Sequence, residues 1–227
     1  MRRVGHKGAD HLAPGNTRAS FEAALAHGVD MIEFDVLRLR DGRLVLAHDY
    51  EDAAKREPLT LEQGLDLFAE TAYGDVELDV DLKLPGYERE VVDGLRSRGL
   101  DERALVSTTH PESLERLGEL APGLRRGWSV PRVQRDYTRT ALAPAAYAIV
   151  RWWRLRLPRQ ASARLRAGGC EAVMAHWLLV SRPLLDGVHA AGGALYVWTV
   201  DDARRIERLE ALGVDGVITN DPRLFAA

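Results

Sequence analysis

Two histidines and a set of carboxylates stand at or near the ends of short apolar runs. His6 follows Arg2–Gly5, Glu33 and Asp35 lie two apart within Met31–Leu37, and His48-Asp49 follows the run Leu44–Ala47. Asp81 and Lys83 lie at the end of Val76–Leu82. Residues two apart on an extended strand share a face. Glu33 and Asp35 therefore point one way, as do Glu77, Asp79, Asp81 and Lys83, while Val76, Leu78, Val80, Leu82 and Leu84 take the opposite face. An acidic row beside an apolar face predicts carboxylates aimed into an interior, where they repel unless paired or bound to a metal. All-oxygen donors suit a hard cation such as Mg²⁺ or Ca²⁺. A cation with two imidazoles matches phosphodiester cleavage, because one ring takes a proton from the nucleophile and the other gives one to the leaving alkoxide. The competing expectation is a structural salt-bridge network, with Lys83 and Arg38 as its cations.

The elements that must position these groups follow a regular rhythm. Eight runs read as strands: Arg2–Gly5, Met31–Leu37, Val76–Leu82, Ala104–Thr108, Arg125–Val130, Glu171–Ala175, Ala194–Val200 and Asp215–Thr219. Helical spacing appears in Thr17–His27, Leu59–Glu70, Tyr87–Arg98, Pro111–Leu120, Arg182–Ala191 and Asp201–Leu212, several of them ending before Gly28, Gly99, Gly192 or Gly213. Strand and helix in alternation predict parallel strands with right-handed crossovers. Eight repeats predict an α/β fold, a (β/α)₈ TIM barrel over residues 1–227, with an open doubly wound sheet as the rival. Leu44–Ala47, after the Asp41-Gly42 turn, reads as an extra hairpin strand.

Composition narrows the setting. The chain has 227 residues, 46% hydrophobic and 29% charged, which predicts a globular protein. A formal charge of −3 argues against non-specific nucleic-acid binding. Cys170 is the one cysteine, so no internal disulfide or cysteine-rich zinc site is expected. The start, MRRVGHKGAD, shows no signal-peptide core, and no run nears the ~20 apolar residues of a spanning helix, so a cytoplasmic protein is expected. Pro131–Gly169 departs from the rhythm. Arg132–Arg166 holds nine arginines and one acid, Asp136, together with Tyr137, Tyr147, Trp152 and Trp153. It reads as two helices broken at Pro158, either a solvated basic face or a peripheral membrane contact through 132–166.

The ordered motifs resemble the glycerophosphodiester phosphodiesterase family. They are His6-Lys7-Gly8, Pro14-Gly15-Asn16-Thr17, Glu33-Phe34-Asp35-Val36, Asp41-Gly42-Arg43-Leu44-Val45, His48-Asp49, Asp81-Leu82-Lys83, Trp198-Thr199-Val200 and Gly213–Thr219. The resemblance covers nearly the whole chain and is weakest over Pro131–Gly169. It implies a TIM barrel that hydrolyses glycerophosphodiesters to glycerol 3-phosphate and an alcohol through a cyclic phosphate. It implies His6 and His48 as the acid–base pair and Glu33, Asp35 and Asp81 as ligands of a divalent metal, Mg²⁺ or Ca²⁺. Lys7 and Lys83 would contact substrate, and His176 and Trp198 are read as lining its pocket.

This chain departs from the family pattern in four places. Lys7 stands where the family has Arg and cannot make its bidentate fork. Gly15 stands where it has Glu, and Asp81 where it usually has Glu. The family's insertion after His-Asp shrinks to Tyr50–Pro58, which predicts a more open rim. That opening, and the shorter Asp81, raise an alternative: a lysophospholipid-cleaving enzyme of phospholipase D or sphingomyelinase D type. Lys7 and Gly15 raise another, a barrel that binds a ligand without catalysis. The oligomeric state is left open. Asp201 is read as a helix N-cap, His110-Pro111 as a helix start, Asn220-Asp221-Pro222 as a turn into a last helix, and Cys170 as buried and inert.

Overall fold

The facial alternation of the sequence is realised as a closed ring of strands. The structure, a computed structural model, describes residues 1–132 and 143–226. Its strands are β1 (Arg2–Gly5), β2 (Met31–Arg38), β3 (Leu44–Val45), β4 (Glu77–Leu82), β5 (Ala104–Thr108), β6 (Arg125–Val130), β7 (Ala172–His176), β8 (Ala194–Trp198) and β9 (Gly216–Thr219). All but β3 pair in parallel, in the order β1-β9-β8-β7-β6-β5-β4-β2. Val4 opposite Met31 and Gly5 opposite Ile32 join β1 to β2 and close the ring. The fold is thus a (β/α)₈ barrel rather than an open sheet. β3 runs antiparallel to the end of β2, with Leu37 opposite Val45.

The helices are α1 (Arg18–Ala26), α2 (Tyr50–Ala54), α3 (Leu61–Phe68), α4 (Glu88–Arg96), α5 (Pro111–Leu120), α6 (Ala143–Arg166), α7 (Arg182–His189) and α8 (Ala203–Leu212). Side chains at their starts satisfy the first free amides: Thr17 accepts from Ser20, Thr60 from Gln63 and Ser181 from Leu184. Among these helices, α2 has no counterpart in the sequence reading. This five-residue helix lies between β3 and α3, within the Tyr50–Pro58 stretch.

Outward-facing strand residues pack under the helices in two groups. Phe34, Leu78, Val80 and Leu82 join α1, α3 and α4; Val173, Ala175, Leu195 and Val197 join α6, α7 and α8. The inward apolar group is smaller and includes Val4, Met31, Leu105, Met174, Tyr196 and Ile218. Glu77, counted in the acidic row, pairs with Arg2 at 2.6 Å and Arg125 at 2.8 Å and is kept apart from the rim cluster. Arg38 pairs with Glu90 at 2.5 Å and lies over Tyr87, so it takes no part in the interior network expected of it.

The expectation of two helices broken at Pro158 fails. α6 continues from Ala143 to Arg166 through that proline. An interior proline costs about 3 kcal/mol. Burial of Leu157, Ala161 and Leu165, and Ser162 bonded to Gly187 O of α7 at 2.9 Å, offset that cost. Residues 133–142, with Arg135, Asp136, Tyr137 and Arg139, lie outside the described residues. Among those described, no helix is long and apolar enough to cross a membrane.

Candidate active site

β2 and β4 run side by side with Glu33 opposite Asp79 and Asp35 opposite Asp81. Parallel register puts these partners on one face, so the acids meet inside the barrel near the carboxyl ends of the strands. Ligand oxygens of Glu33, Asp35 and Asp81 lie within 4.8 Å of one another. Lys83 enters the same corner, its Nζ 2.5 Å from Asp35 Oδ1 and 2.5 Å from Asp81 Oδ2. The acidic cluster and the lysine salt bridge, posed as rivals by the sequence, share two of their carboxylates, Asp35 and Asp81.

The cluster is held rigidly. Asp35 is fully buried, and Asn16 grips it twice: Asn16 Nδ2 donates to Asp35 Oδ2 at 2.8 Å, and the Asp35 amide donates to Asn16 Oδ1 at 3.1 Å. The Lys7 amide donates to Glu33 Oε2 at 2.8 Å. Lys7 (φ 50°) and Asn16 (φ 58°) both adopt left-handed backbone, strain of a kind that gathers at functional sites. Gly8, at φ 83°, closes the same turn, and a Cβ there would lie 2.6 Å from the Ser20 backbone.

Burial and crowding set the charges. Burial, then the charge of Asp35, pushes Glu33 well above the usual carboxylate range. Burial would raise Asp35 as well, but Lys83, His48 and His6 outweigh it and hold Asp35 well below its ordinary value. Lys83 stays charged because Asp35, Asp81 and Glu33 overcome its desolvation. Asp79 is pushed up to about 7, by burial first, against a hydrogen bond from Ser107. The Oδ1 atoms of Asp35 and Asp79 are buried and accept no hydrogen bond among the described residues; Asp35 Oδ1 has only its ion-pair contact with Lys83. Three converging carboxylates, with the Asp79 oxygen beside them left short of a donor, form the all-oxygen set that a hard divalent cation fits.

His6 reaches the rim from the end of β1, its Nε2 3.9 Å from Glu33 Oε2. Its Nδ1 lies 2.6 Å from Asn220 Oδ1. Asn220 Nδ2 donates to Asp201 Oδ2 at 2.7 Å, and the Asn220 amide donates to Asp201 Oδ1 at 2.8 Å. Asp201 thereby fixes which way the Asn220 amide faces. Its oxygen must then accept from His6, so the proton sits on Nδ1 and the Nε2 lone pair faces the acids. Burial, more than any other cause, lowers the His6 pKa, favouring the neutral ring. The cap assigned to Asp201 belongs instead to Asp202, which accepts from Arg205 N, because Asp201 is spent on β9 and its turn. His48 lies three residues beyond β3. It is exposed, with Nδ1 3.1 Å from Asp49 Oδ2, while Asp49 caps α2.

Lys7 enters the site already paired with an acid. Its ammonium lies 2.5 Å from Asp10 Oδ2. The Gly15 amide donates to Asp10 Oδ1 at 2.7 Å, and a Cβ on Gly15 would stand 2.5 Å from that oxygen. A side chain at 15 and this pose of Asp10 therefore exclude each other. Burial opposes the charge on Lys7, but the hydrogen bond and charge of Asp10 raise its pKa overall.

Across the mouth, His176 and Trp198 meet edge to face at 5.2 Å, and Trp198 Nε1 donates to Met174 O at 2.8 Å. Trp177, next along, lies under Arg205 at 3.6 Å. This side is a half-buried aromatic wall. His110 is buried, precedes α5 as expected, and sits 3.2 Å from Lys83 O, behind the lysine. The sequence reading gave no site role to Asn16, Asn220 or Asp10. Asn16 carried a signal, an amide-bearing residue inside the Pro14–Thr17 motif. For Asn220 and Asp10 the only signal is proximity in the fold.

Paired carboxylates on adjacent strands, a lysine between them and two flanking histidines define a phosphodiesterase-type barrel. The family model described as the glycerophosphoryl diester phosphodiesterase family matches residues 6–58 and 69–224, and the chain belongs to that family. A glycerophosphodiester phosphodiesterase of Caldanaerobacter subterraneus subsp. tengcongensis is 26% identical over 251 residues, covering 96% of this chain and 93% of its own. In fold, the chain is similar to a glycerophosphodiester phosphodiesterase from Parabacteroides distasonis (TM-score 0.75, 19% identity, 99% and 97% covered). It is also similar to an Oleispira antarctica phosphodiesterase solved with the product sn-glycerol-3-phosphate (TM-score 0.72, 20% identity, 100% and 97% covered).

Proposed function

We propose that this chain, acting as one barrel over residues 1–227, hydrolyses glycerophosphodiesters to glycerol 3-phosphate and an alcohol in the cytoplasm. The observation that carries the reading is the convergence of Glu33, Asp35 and Asp81 within 4.8 Å, with His6 Nε2 3.9 Å from Glu33 Oε2. The three carboxylates would hold a divalent ion, Mg²⁺ or Ca²⁺. When bound, the ion supplies charge neutralisation at the phosphoryl oxygens. His6 Nε2, neutral and aimed by Asn220, takes the proton of the glycerol hydroxyl beside the phosphate. That oxygen attacks phosphorus and forms a cyclic phosphate, and His48 protonates the departing alkoxide. Water then opens the ring with the two roles reversed. Holding the hydroxyl beside phosphorus supplies the proximity term. Lys83 orients Asp35 and Asp81 and meets the phosphate, while Lys7 offers a point charge steadied by Asp10. His176 and Trp198 contact the alcohol side.

The test is release of glycerol 3-phosphate from glycerophosphocholine, glycerophosphoethanolamine and glycerophosphoinositol with Mg²⁺, Ca²⁺ or EDTA, beside His6→Ala. Metal-dependent release that His6→Ala abolishes supports the reading. Folded protein that binds metal yet releases nothing sinks it. A second reading, cleavage of lysophospholipids, is favoured by the short β3–α3 connection, which holds only the five-residue α2. Faster turnover of lysophosphatidylcholine than of glycerophosphocholine supports that reading, and the reverse order removes it.

A further inference from the structure

α6 carries two apolar stripes, and the barrel uses one. Leu157, Ala161 and Leu165 are buried, with Val150 and Trp153 packed on the same group. At about 3.6 residues per turn, Ile149, Trp152 and Leu155 fall on the opposite side. They are 59%, 48% and 72% exposed; among the described residues only Met1 and Tyr50 join them as exposed large hydrophobics. Arg151, Arg156 and Arg159 interleave on that side, and Arg156 lies over the Trp152 ring at 4.6 Å. Ala143–Arg166 contains no acid, in a chain of net charge −3.

Topology fixes where this stripe lies. α6 and α7 each link one parallel strand to the next, so both run from the rim of the mouth towards the barrel floor. Ser162 bonds Gly187 O, and Gly187 comes five residues after the start of α7 at Arg182. Counting back as far from Ser162 reaches Leu157. Ala143–Arg156 therefore extends past the start of α7, on the order of 20 Å at ~1.5 Å per residue. It projects on the side where the acids, His6 and His48 open to solvent. The aromatic wall of His176, Trp177 and Trp198 lies between α6 and the acids.

We propose that the projecting half of α6 is a docking element for an anionic lipid bilayer, seating the barrel mouth against a lipid-borne phosphodiester. The choice of substrate rests on the phosphodiesterase reading; the docking does not. Arginines alternating with Ile, Trp and Leu on one helix side match an interfacial helix, with the charges at headgroup level and the apolar tips below. The cytoplasmic leaflet offers the opposite charge. A second copy fits worse, because a two-fold contact would set the acid-free arginine face against itself.

The experiment is co-sedimentation of the full chain with phosphatidylcholine vesicles, pure or with about 30% phosphatidylglycerol, at rising salt. Partition onto the anionic vesicles is expected to be on the order of tenfold greater, to fall with salt, and to shift tryptophan emission to the blue. Ile149→Ser/Trp152→Ser/Leu155→Ser and Arg151→Gln/Arg156→Gln should each lose most of this partition. Both should keep wild-type melting and wild-type turnover of a soluble glycerophosphodiester. Equal partition onto both vesicles, undiminished binding by both variants, or a dimer that the triple serine variant dissolves would overturn the proposal. Binding is read without substrate, so a protein that docks but cleaves nothing refutes the phosphodiesterase reading alone.

Discussion

One side of the barrel interior is acidic and the other is apolar, although the same strand geometry builds both. β2 and β4 aim Glu33, Asp35, Asp79 and Asp81 inward, while β7, β8 and β9 aim Met174, Tyr196 and Ile218. Their outward faces are alike: Leu78, Val80 and Leu82 on one side and Val173, Leu195 and Val197 on the other are 0–1% exposed. The helices are therefore anchored in the same way around the ring, and the inward positions of β2 and β4 are free to carry chemistry. The price is desolvation, which Asn16, the Lys7 amide and Lys83 offset for Glu33, Asp35 and Asp81.

If that division is right, changes on the two sides should fail differently. His6→Ala should lower kcat by about 10²–10⁴-fold with melting little changed. Met174→Ala should instead cost about 2–5 kcal/mol of stability, read by urea unfolding, and leave kcat nearly intact. A stability loss from the first, or a catalytic collapse from the second, would break the comparison. Asp81→Asn should weaken Mg²⁺ or Ca²⁺ binding by calorimetry by roughly 10-fold or more, as loss of a charged ligand demands.

Subtler substitutions sharpen the acidic side. Asp201→Ala leaves the Asn220 amide free to turn, so about a tenfold drop in kcat is expected with KM held, along with a displaced acidic limb of the pH–rate profile. An unchanged profile would make Asp201 a turn residue only. Gly15→Ala should move Asp10 off Lys7 and raise KM a few-fold more than it lowers kcat, as loss of ground-state phosphate binding would. The smallest effect belongs to the apolar side. Cys170 is buried and its thiol is pushed up to about 11 by desolvation. At pH 8 its thiolate fraction is then on the order of 10⁻³, so Ellman's reagent should label it only after denaturation. Rapid labelling of native protein would show that the group around α6 and β7 opens readily.

Much of this was legible beforehand for a physical reason. Strand alternation is local, so the inward row of β4 and the pairing of Glu33 with Asp35 could be read from spacing two. The start of α1 was legible because its side-chain cap, Thr17, is also local. Pro158 misled because its local penalty was overruled by burial of residues on either side of it. Asp201 misled because Asp201 and Asp202 both offer a carboxylate before α8, and only the position of Asn220 decides which one caps.

By itself, the sequence determined the parallel strand–helix repeat, the inward direction of the acids and the presence of two histidines near strand ends. All of these follow from periodicity and from neighbours a few residues apart. The tertiary structure decided the rest. It closed β1 on β2, placed Lys83 between Asp35 and Asp81, put Asp10 in the space Gly15 leaves, and set the His6 tautomer through Asn220, 214 residues away. It also turned one stripe of α6 to solvent beside the mouth. Such contacts join residues whose separation along the chain carries no periodic signal, so they exist only once the ring has closed.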